Sequence, residues 1–543
     1  MKQPLLFGGA LLALTACASC SSAPTSQLAD NQAQTLAGIV EGQINGDIVI
    51  YRGVPFAAAP VGDLRWREPQ PVAGWDGVRQ CTEFGDDPMQ PNLFGDMNFL
   101  AFGRSEDCLY LNIWAPVKAD KAPVLIYFNG GGLMCGSGSE PRYAGDSLAH
   151  HGIVSITANY REGMFGFLAH PDLTARSEHH TSGNYGALDQ VAAIQWVKDN
   201  IAAFGGDPDH ITIVGESAGS FSTSMLMASP LSRQNLAGVM GSSGAELKPS
   251  SALTLAQGEE MGKALVEKTG YTIEQLLSMP ADSVQMILPP TGMSNFLVDG
   301  YLLDATVDEI FAQGKQAQVS LLLGWNSMEA HPMQTLGAMA PTVKNFKKAL
   351  EPRFGKRTQD VLNAFNIKTD ADVLGWGAIE LSGSLFTAFH TWKWAELHKV
   401  SGQPVYRYKY NHARPAMAIE GKVAGLAGGV KDADDKDAVA APEAPKDAIV
   451  GAVHSADIEY AMGNLATNTV FAWNEDDYKV QNTFMNYYIN FIKTGNPNGE
   501  GLPAWTAING QEVAPVMQID VESAEKADAQ IEAAYRLLDE LLK

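Results

Sequence analysis

A pentapeptide at residues 215–219, Gly-Glu-Ser-Ala-Gly, constrains the fold of this chain more than any other feature. It follows a β-branched run at residues 211–214 and precedes a helix-like stretch. A serine lifted out of a sheet at a sharp strand-to-helix turn needs neighbours without bulk, which Gly215 and Gly219 supply. A solvated serine in a tight turn would explain the glycines but not the strand before them and the helix after them. The context therefore predicts a nucleophile elbow that exposes Ser217.

Apolar strand-like runs alternate with helix-like segments along much of the chain. The clearest helix pattern covers residues 188–204, where apolar residues return at three- and four-residue spacing until two glycines end the run. This alternation predicts an α/β fold with a mostly parallel sheet, helices on both faces, and a site at the carboxyl ends of the strands. An amphipathic stretch at residues 524–542 predicts a terminal helix. The predicted strands are residues 124–128, 153–160, 211–215, 319–325 and 405–410.

Two residues downstream of Ser217 fit the partners that a serine nucleophile needs. A serine hydroxyl is weak unless a base takes its proton and an acid orients that base, in the chain order serine, acid, histidine. Glu329 comes directly after a predicted strand, so it is expected at the active edge of the sheet. His454 lies in a loop of small residues, from which an imidazole can reach the serine. The histidines predicted to be packed or on the surface instead are His390, His398 and His412.

A glycine-rich segment, Asn129-Gly130-Gly131-Gly132, follows the predicted strand at residues 124–128. Its bare backbone N–H groups are suited to holding the oxyanion of an acyl-transfer reaction. A flexible glycine turn is the alternative interpretation.

Taken together, these motifs resemble those of the type-B carboxylesterase/cholinesterase family of α/β-hydrolases. The resemblance covers nearly the whole chain from about residue 39 to residue 507. The stretches that carry the resemblance, besides the elbow, are residues 51–57 (Tyr-Arg-Gly-Val-Pro-Phe-Ala), 64–66 (Leu-Arg-Trp), 105–112 (Ser-Glu-Asp-Cys-Leu-Tyr-Leu-Asn), 159–161 (Asn-Tyr-Arg), 183–186 (Gly-Asn-Tyr-Gly) and 204–208 (Phe-Gly-Gly-Asp-Pro).

The resemblance implies the α/β-hydrolase fold and a serine esterase that acts on a small-molecule carboxylic ester without a cofactor or metal. It implies Ser217 as nucleophile, Glu329 as acid and His454 as base. The oxyanion donors that it implies are Gly131, Gly132 and Ala218. It also implies two structural ion pairs, Arg65 with Glu106 and Arg161 with Asp189.

Two departures from the family pattern stand out. Asn129 occupies the position before the glycines where esterases of this family commonly have histidine, so the hydrogen bonding of the oxyanion loop is expected to differ. The loop between Cys81 and Cys108 contains no tryptophan. This argues against a choline-ester preference, because a cation–π platform in that loop serves the cholinesterases. The aromatic candidates for an apolar gorge are Phe94, Phe99 and Phe102.

The start of the chain is typical of an exported protein. Residues 1–16 carry Lys2 and then a short apolar run, which predicts a signal peptide. The sequence Leu-Thr-Ala-Cys ending at Cys17 resembles a lipobox, so lipidation of Cys17 is expected, with ordinary cleavage as the alternative. Residues 17–35 are predicted to be a polar tether and residues 36–543 a single domain. The protein is therefore expected to be lipid-anchored to the outer membrane, or else periplasmic or secreted.

Export makes a disulfide permissible among the five cysteines. Cys81 and Cys108 bracket a polar loop and are the natural pair, which the family resemblance also implies. Cys135 is left over and is predicted to be a small buried hydrophobe.

The net charge of −23 argues against a nucleic-acid partner. A segment rich in Gly, Ala, Asp, Lys and Pro at residues 421–446 predicts a mobile surface insertion. Its acidic run at residues 432–437 resembles a calcium loop, but Lys436 and Asp437 occupy the places of a ligand and of the turn glycine. A solvated acidic loop is expected instead of a metal site.

Three other functions stay open from the sequence. One is a specialised esterase for a complex natural, phenolic or xenobiotic ester, with the insertion at residues 421–446 at its entrance. Another is a non-catalytic binding relative, against which the retained triad argues. The third is amide or peptide hydrolysis by the same triad.

Overall fold

The structure is a computed structural model of the 543-residue chain. It describes residues 28–94, 97–247, 253–289, 295–424, 430–432 and 450–542. The predicted signal peptide, Cys17, most of the tether and most of the insertion at residues 421–446 lie outside the described residues.

Eleven strands of the described chain form one central sheet. In chain order they are β1 (Gln43–Asn45), β2 (Ile48–Pro55), β3 (Tyr110–Pro116), β4 (Ala122–Phe128), β5 (Val154–Ala158), β6 (Gly206–Glu216), β7 (Gly238–Ser242), β8 (Ser320–Asn326), β9 (Val405–Tyr410), β10 (Val516–Ile519) and β11 (Ala524–Lys526). Their order across the sheet is β11-β10-β9-β8-β7-β6-β4-β5-β3-β2-β1. The seven strands from β10 to β5 in that order run parallel, and the strands at both edges are antiparallel. This is the sheet of an α/β-hydrolase, as expected.

Helices cover the sheet on both faces. Within the described ranges, no helix is both long enough and apolar enough to cross a membrane. The α-helices are Asp146–His150, Gly163–Phe167, Pro171–Thr174, Tyr185–Asn200, Ala218–Ala228, Leu255–Thr269, Ile273–Ser278, Ala281–Ile287, Val307–Ala312, Pro332–Leu336, Val343–Phe354, Thr358–Ala364, Trp376–Gly383, Phe389–His398, Ile458–Met462, Glu475–Thr494 and Ala529–Leu541. A π-helical turn, Ser384–Ala388, joins Trp376–Gly383 to Phe389–His398. Outside the central sheet, the described chain has one small three-stranded sheet, Gln32–Gln34, Ile39–Glu41 and Val78–Gln80. It also has three two-stranded pairs: Asp87–Pro88 with Arg104–Ser105, Leu253–Thr254 with Leu297–Val298, and Lys422–Ala424 with Val430–Asp432.

Successive residues of β4 point to opposite faces of the sheet, and both faces are buried. Val124 belongs to a core that includes residues of the helices Tyr185–Asn200 and Ala218–Ala228. Leu125 belongs to a second core formed with the helix Glu475–Thr494. Because β4 is covered on both faces, its sequence is a continuous apolar run and not an alternating one.

The five predicted strands are confirmed as β4, β5, β6, β8 and β9, with ends that differ by a few residues. The predicted helix at residues 188–204 is confirmed as Tyr185–Asn200, continued by the 3-10 turn Ile201–Phe204 that Gly205 caps. The predicted terminal helix is too long, because residues 524–526 form the edge strand β11 against β10. The helix begins only at Ala529, where the Asp528 carboxylate accepts hydrogen bonds from the first-turn amides.

Cys81 and Cys108 are buried free thiols in the structure. The predicted disulfide bond between them is therefore absent. The Cys81 sulfur lies 3.9 Å from the carbonyl oxygen of Gly53. Cys108 instead lines a small cavity beside Arg161. Burial raises the pKa of the Cys81 thiol to about 11 and raises the pKa of the Cys108 thiol well above its ordinary value. These high pKa values disfavour the thiolate form, which is the form that reacts in oxidation. Cys135 is buried, as predicted.

Candidate active site

Ser217 stands at the turn between β6 and the helix Ala218–Ala228, with backbone angles φ 54° and ψ −123°. Such a conformation is costly for a residue other than glycine, and it is typical of a nucleophile elbow. A Cβ atom on Gly219 would lie 2.1 Å from the carbonyl oxygen of Phe128, and one on Gly215 would lie 2.3 Å from the backbone of Gly219. The steric reason for both glycines, and the strand-turn-helix context, are therefore as predicted.

The structure brings Ser217, His454 and Glu329 together in one hydrogen-bonded line. His454 Nε2 is 3.0 Å from Ser217 Oγ, and His454 Nδ1 is 2.5 Å from Glu329 Oε2. His454 lies in a loop, and Glu329 comes three residues after the end of β8. Both side chains are buried. The imidazole thus has a carboxylate on one nitrogen and the serine hydroxyl on the other.

Two groups that sequence reasoning missed hold Glu329 in place. Its Oε1 atom accepts hydrogen bonds from the Ser243 hydroxyl at 2.5 Å and from the Asn326 backbone amide at 2.6 Å. Ser243 directly follows β7, and Asn326 is the last residue of β8. Sequence reasoning could have found Ser243 and Asn326 by the rule that located Glu329. This rule says that a site lies at the carboxyl ends of parallel strands.

The glycine-rich segment after β4 forms one wall of the space above Ser217. Gly131 and Gly132 have φ of 118° and 71°, and a Cβ atom on Gly131 would lie 1.8 Å from the Cys135 carbonyl oxygen. No described residue accepts a backbone hydrogen bond from the N–H of Gly131, Gly132 or Ala218. All three residues line the same cavity as Ser217, so their N–H groups are available to a ligand there.

Asn129 ties the start of the glycine loop to the protein interior. Its Nδ2 group donates to the carbonyl oxygen of Gly130 and to Glu162 Oε1, both at 3.0 Å. Its carbonyl oxygen accepts a hydrogen bond from the Tyr160 hydroxyl at 2.9 Å. Burial raises the pKa of Glu162 well above its ordinary value, although the hydrogen bonds from Asn129 and Tyr160 oppose this rise. Hydrogen bonds from an amide side chain therefore shape the loop at the position where the family commonly has histidine.

A cavity of about 360 Å³ opens above Ser217. Of the three phenylalanines predicted to line a gorge, only Phe94 belongs to the described lining, and Phe102 is 85% exposed. Phe386, on the π-helical turn, packs edge-on against the His454 ring at 4.9 Å between centroids. Most of the remaining lining is apolar or glycine, which suits the acyl and alcohol parts of an organic ester.

Glu216, the residue before Ser217, is a further group near His454 that sequence reasoning did not assign. Its Oε1 atom lies 3.3 Å from His454 Nε2. Burial raises the pKa of Glu216 to about 8, and the positive imidazolium opposes this rise. Burial lowers the pKa of His454, but the charges of Glu216 and Glu329 outweigh it and raise that pKa to about 9. The acidic surroundings therefore favour the imidazolium form.

Both ion pairs implied by the family resemblance are present, and the pair of Arg161 with Asp189 is buried. Arg65 Nη2 lies 2.5 Å from Glu106 Oε2, and Arg161 Nη2 lies 2.7 Å from Asp189 Oδ1. The predictions for the other histidines hold as well: His390 and His398 are buried in a helix, and His412 contacts Asp477. The structure places none of these three histidines in the cavity wall that it describes.

The fold and this site together define a serine hydrolase of the α/β-hydrolase class. The model of the carboxylesterase family matches residues 29–537, and the chain belongs to that family. It is a carboxylic-ester hydrolase.

Several known proteins are similar to this chain. Fumonisin B1 esterase from Sphingopyxis macrogoltabida is 36% identical over 69% of this chain and 70% of its own. Phenmedipham hydrolase from Pseudarthrobacter oxydans is 29% identical over 91% of this chain and 96% of its own. A solved Geobacillus stearothermophilus carboxylesterase is 29% identical with a TM-score of 0.76, covering 93% of this chain and 99% of its own.

Proposed function

We propose that Ser217 is the nucleophile of a two-step ester hydrolysis, with His454 as general base and Glu329 as the acid that orients it. The observation that carries this proposal is the position of the His454 ring, 3.0 Å from the Ser217 hydroxyl and 2.5 Å from the Glu329 carboxylate. This is the geometry that nucleophilic catalysis by serine requires.

In the acylation step, Ser217 Oγ forms a bond to the carbonyl carbon of the ester while its proton moves to His454 Nε2. The negative charge that develops on the carbonyl oxygen is held by the backbone N–H groups of Gly131, Gly132 and Ala218. The tetrahedral intermediate then collapses, the bond to the alcohol oxygen breaks, and that oxygen takes the proton from His454. The acyl group remains on Ser217.

In the second step, water attacks the acyl-enzyme and His454 takes a proton from this water. Collapse releases the carboxylic acid and returns the proton to Ser217. Glu329 stabilises the imidazolium formed in both steps and fixes the tautomer that leaves Nε2 free to accept. Ser243 and Asn326 hold Glu329 for this role through their hydrogen bonds to Oε1. The proposed sequence uses no cofactor or metal.

Steady-state hydrolysis of p-nitrophenyl acetate and p-nitrophenyl butyrate by wild type and by Ser217→Ala tests the proposal. We expect a loss of about 10⁶ in kcat for the variant, as for the removal of a serine nucleophile in comparable triads. Ser220→Ala, on the same helix, is the matched control and should keep most of the activity. A folded Ser217→Ala enzyme within tenfold of wild type would overturn the assignment.

A second candidate function is a specialised esterase for a complex natural or xenobiotic ester. Two similar proteins support it by name, the fumonisin B1 esterase and the phenmedipham hydrolase. The test compares kcat/KM for fumonisin B1 and phenmedipham with that for p-nitrophenyl butyrate. A value at least tenfold above the simple ester for either compound would support specialisation, and uniformly lower values would argue for a general carboxylesterase.

We also propose that the protein is exported and anchored through a lipid on Cys17, with the polar segment to residue 35 as a tether. The lipobox-like sequence that ends at Cys17 supports this. Radiolabelled palmitate should label the wild type and not Cys17→Ser. An unlabelled wild type that is released into the periplasm or the medium would favour ordinary cleavage.

A further inference from the structure

Arg142 is a buried cation in the wall of the catalytic cavity. It lies in the short turn Pro141–Tyr143, it is 5% exposed, and it lines the cavity together with Ser217. A hydrogen bond from another segment holds this turn in place, because Asn464 Nδ2 donates to the Arg142 carbonyl oxygen at 3.0 Å. The guanidinium also lies over the Tyr143 ring, 5.6 Å from its centroid. The position of this charge is therefore set by the fold.

The hydrogen-bonding capacity of Arg142 is only partly used. Its Nε atom donates to Glu140 Oε1, while its Nη1 atom has no partner among the described residues. A guanidinium has five N–H donors, and a buried polar group without a partner costs free energy. A cavity that served only apolar esters would gain nothing from such a group. The unused hydrogen-bonding capacity of this cavity-lining arginine therefore points to a polar or anionic partner that arrives with the substrate.

Two acidic side chains share this wall, Glu216 and Glu246. Burial raises the pKa of Glu216 to about 8, and the positive Arg142 is among the groups that oppose this rise, but no hydrogen bond or ion pair joins the two side chains in the described chain. Glu246 is only half-buried. Glu140 is the one acidic partner in direct contact with Arg142 in the described chain, and it takes a single edge of the guanidinium.

We propose that Arg142 binds a free carboxylate on the substrate, so that the enzyme prefers esters that carry such a group beside the scissile bond. This specificity rests on the proposed function of Ser217. The carboxylate can belong to the acyl part, as in a half-ester of a dicarboxylic acid, or to the alcohol part, as in an ester of a hydroxy acid. Both kinds of substrate offer the planar two-oxygen group that a guanidinium recognises.

The experiment compares matched pairs of esters in the wild type, Arg142→Gln and Arg142→Lys. The acyl-side pair is p-nitrophenyl hemiglutarate and p-nitrophenyl valerate. The alcohol-side pair is the butyrate ester of 4-hydroxybenzoate and phenyl butyrate. The measured quantity is the ratio of kcat/KM for the charged ester to that for its neutral partner.

In one of the two pairs, we expect Arg142→Gln to lower this ratio by about 10- to 100-fold, the usual effect of losing a hydrogen bond to a charged group. Most of the change should appear in KM, and Arg142→Lys should recover part of it. Arg353→Gln, at an exposed arginine, is the control for removing a positive charge and should leave both ratios unchanged. The pair that responds identifies the side of the ester on which the carboxylate lies.

A second measurement does not depend on the stability of the variants. Glutarate and 4-hydroxybenzoate should compete with p-nitrophenyl butyrate in the wild type, and added salt should weaken the inhibition. Unchanged ratios in both pairs, with no more inhibition by either anion than by butyrate, would overturn the proposal while hydrolysis of neutral esters continued. Loss of the proposed function itself would look different, because Ser217→Ala would then keep its activity on neutral esters.

Discussion

Glu329 reaches His454 with one carboxylate oxygen and is itself held by the other. Oε2 lies 2.5 Å from His454 Nδ1, and Oε1 accepts from the Ser243 hydroxyl and the Asn326 amide. A carboxylate with both oxygens engaged cannot rotate away from the imidazole, so the tautomer of His454 is fixed before substrate arrives.

Glu329→Gln should keep the shape of the side chain but remove the charge that stabilises the imidazolium. We expect kcat to fall by about 10⁴-fold, as for the corresponding acid-to-amide change in serine proteases, with little change in the melting temperature. Steady-state kinetics on p-nitrophenyl butyrate checks this. Glu274→Gln, at an exposed helix position, is the control, and a Glu329→Gln enzyme with more than a tenth of wild-type kcat would contradict the assigned role.

Ser243→Ala should remove one of the two hydrogen bonds to Glu329 Oε1 and leave the triad itself intact. We expect a smaller loss, about tenfold in kcat, with KM nearly unchanged, because Ser243 acts through Glu329 and touches no substrate. An equal loss of kcat in Ser243→Ala and Glu329→Gln would contradict this expectation. It would show that Ser243 contributes more to the structure of the site than one hydrogen bond.

Glu216→Gln should change the pH dependence of the reaction. The general base must be neutral, and the nearby carboxylates raise the pKa of His454 to about 9, so kcat/KM should rise as pH increases toward that value. Removing the charge of Glu216 removes one stabiliser of the imidazolium. The acid limb of the pH profile should therefore move to lower pH. A shift to higher pH, or none, would contradict the inferred coupling between these two groups.

Asn129→Ala should loosen the oxyanion loop, because it removes the contacts from Nδ2 to Gly130 and to Glu162. It also leaves the buried Glu162 without that partner. We expect kcat to fall by about 10- to 100-fold with a modest change in KM, since the donors matter most in the transition state. Asn363→Ala, at an exposed position, is the control. Unchanged kcat would mean that the glycine loop holds its shape without Asn129.

Gly219→Ala should be strongly destabilising, because the new methyl group would lie 2.1 Å from the Phe128 carbonyl oxygen. We expect a loss of about 3 kcal/mol or more in unfolding free energy, at the upper end for overpacking, measured by urea denaturation. Gly74→Ala is a matched control, since its new Cβ atom would meet only one atom, at 3.4 Å. Similar stability of the two variants would contradict the close approach at the elbow.

The sequence predicted the fold class and the three side chains that the structure brings together at Ser217, because both depend on local signals. The elbow is a motif of consecutive residues. Glu329 follows a strand whose carboxyl end must lie at the active edge of a parallel sheet. His454 was separated from other histidines by its loop of small residues. In these cases the local context and the topology point to the same place.

Other features depend on packing between distant segments, which the sequence does not reveal. Arg142 and Ser243 enter the site through contacts set by the tertiary structure, and neither stands in a recognisable motif. The amphipathic pattern at residues 524–542 predicted a helix throughout. Local periodicity does not show that residues 524–526 pair with the neighbouring strand β10. The spacing of Cys81 and Cys108 suggested a disulfide, but spacing does not determine where the two sulfur atoms point.

The central claim, that Ser217 is the nucleophile, is tested most directly by a fluorophosphonate probe and peptide mass spectrometry. The account predicts one adduct per chain, located on Ser217, with parallel loss of p-nitrophenyl butyrate hydrolysis. It also predicts no adduct in a folded Ser217→Ala protein. An unlabelled but active wild type, or a label on another residue that tracks the loss of activity, would contradict it.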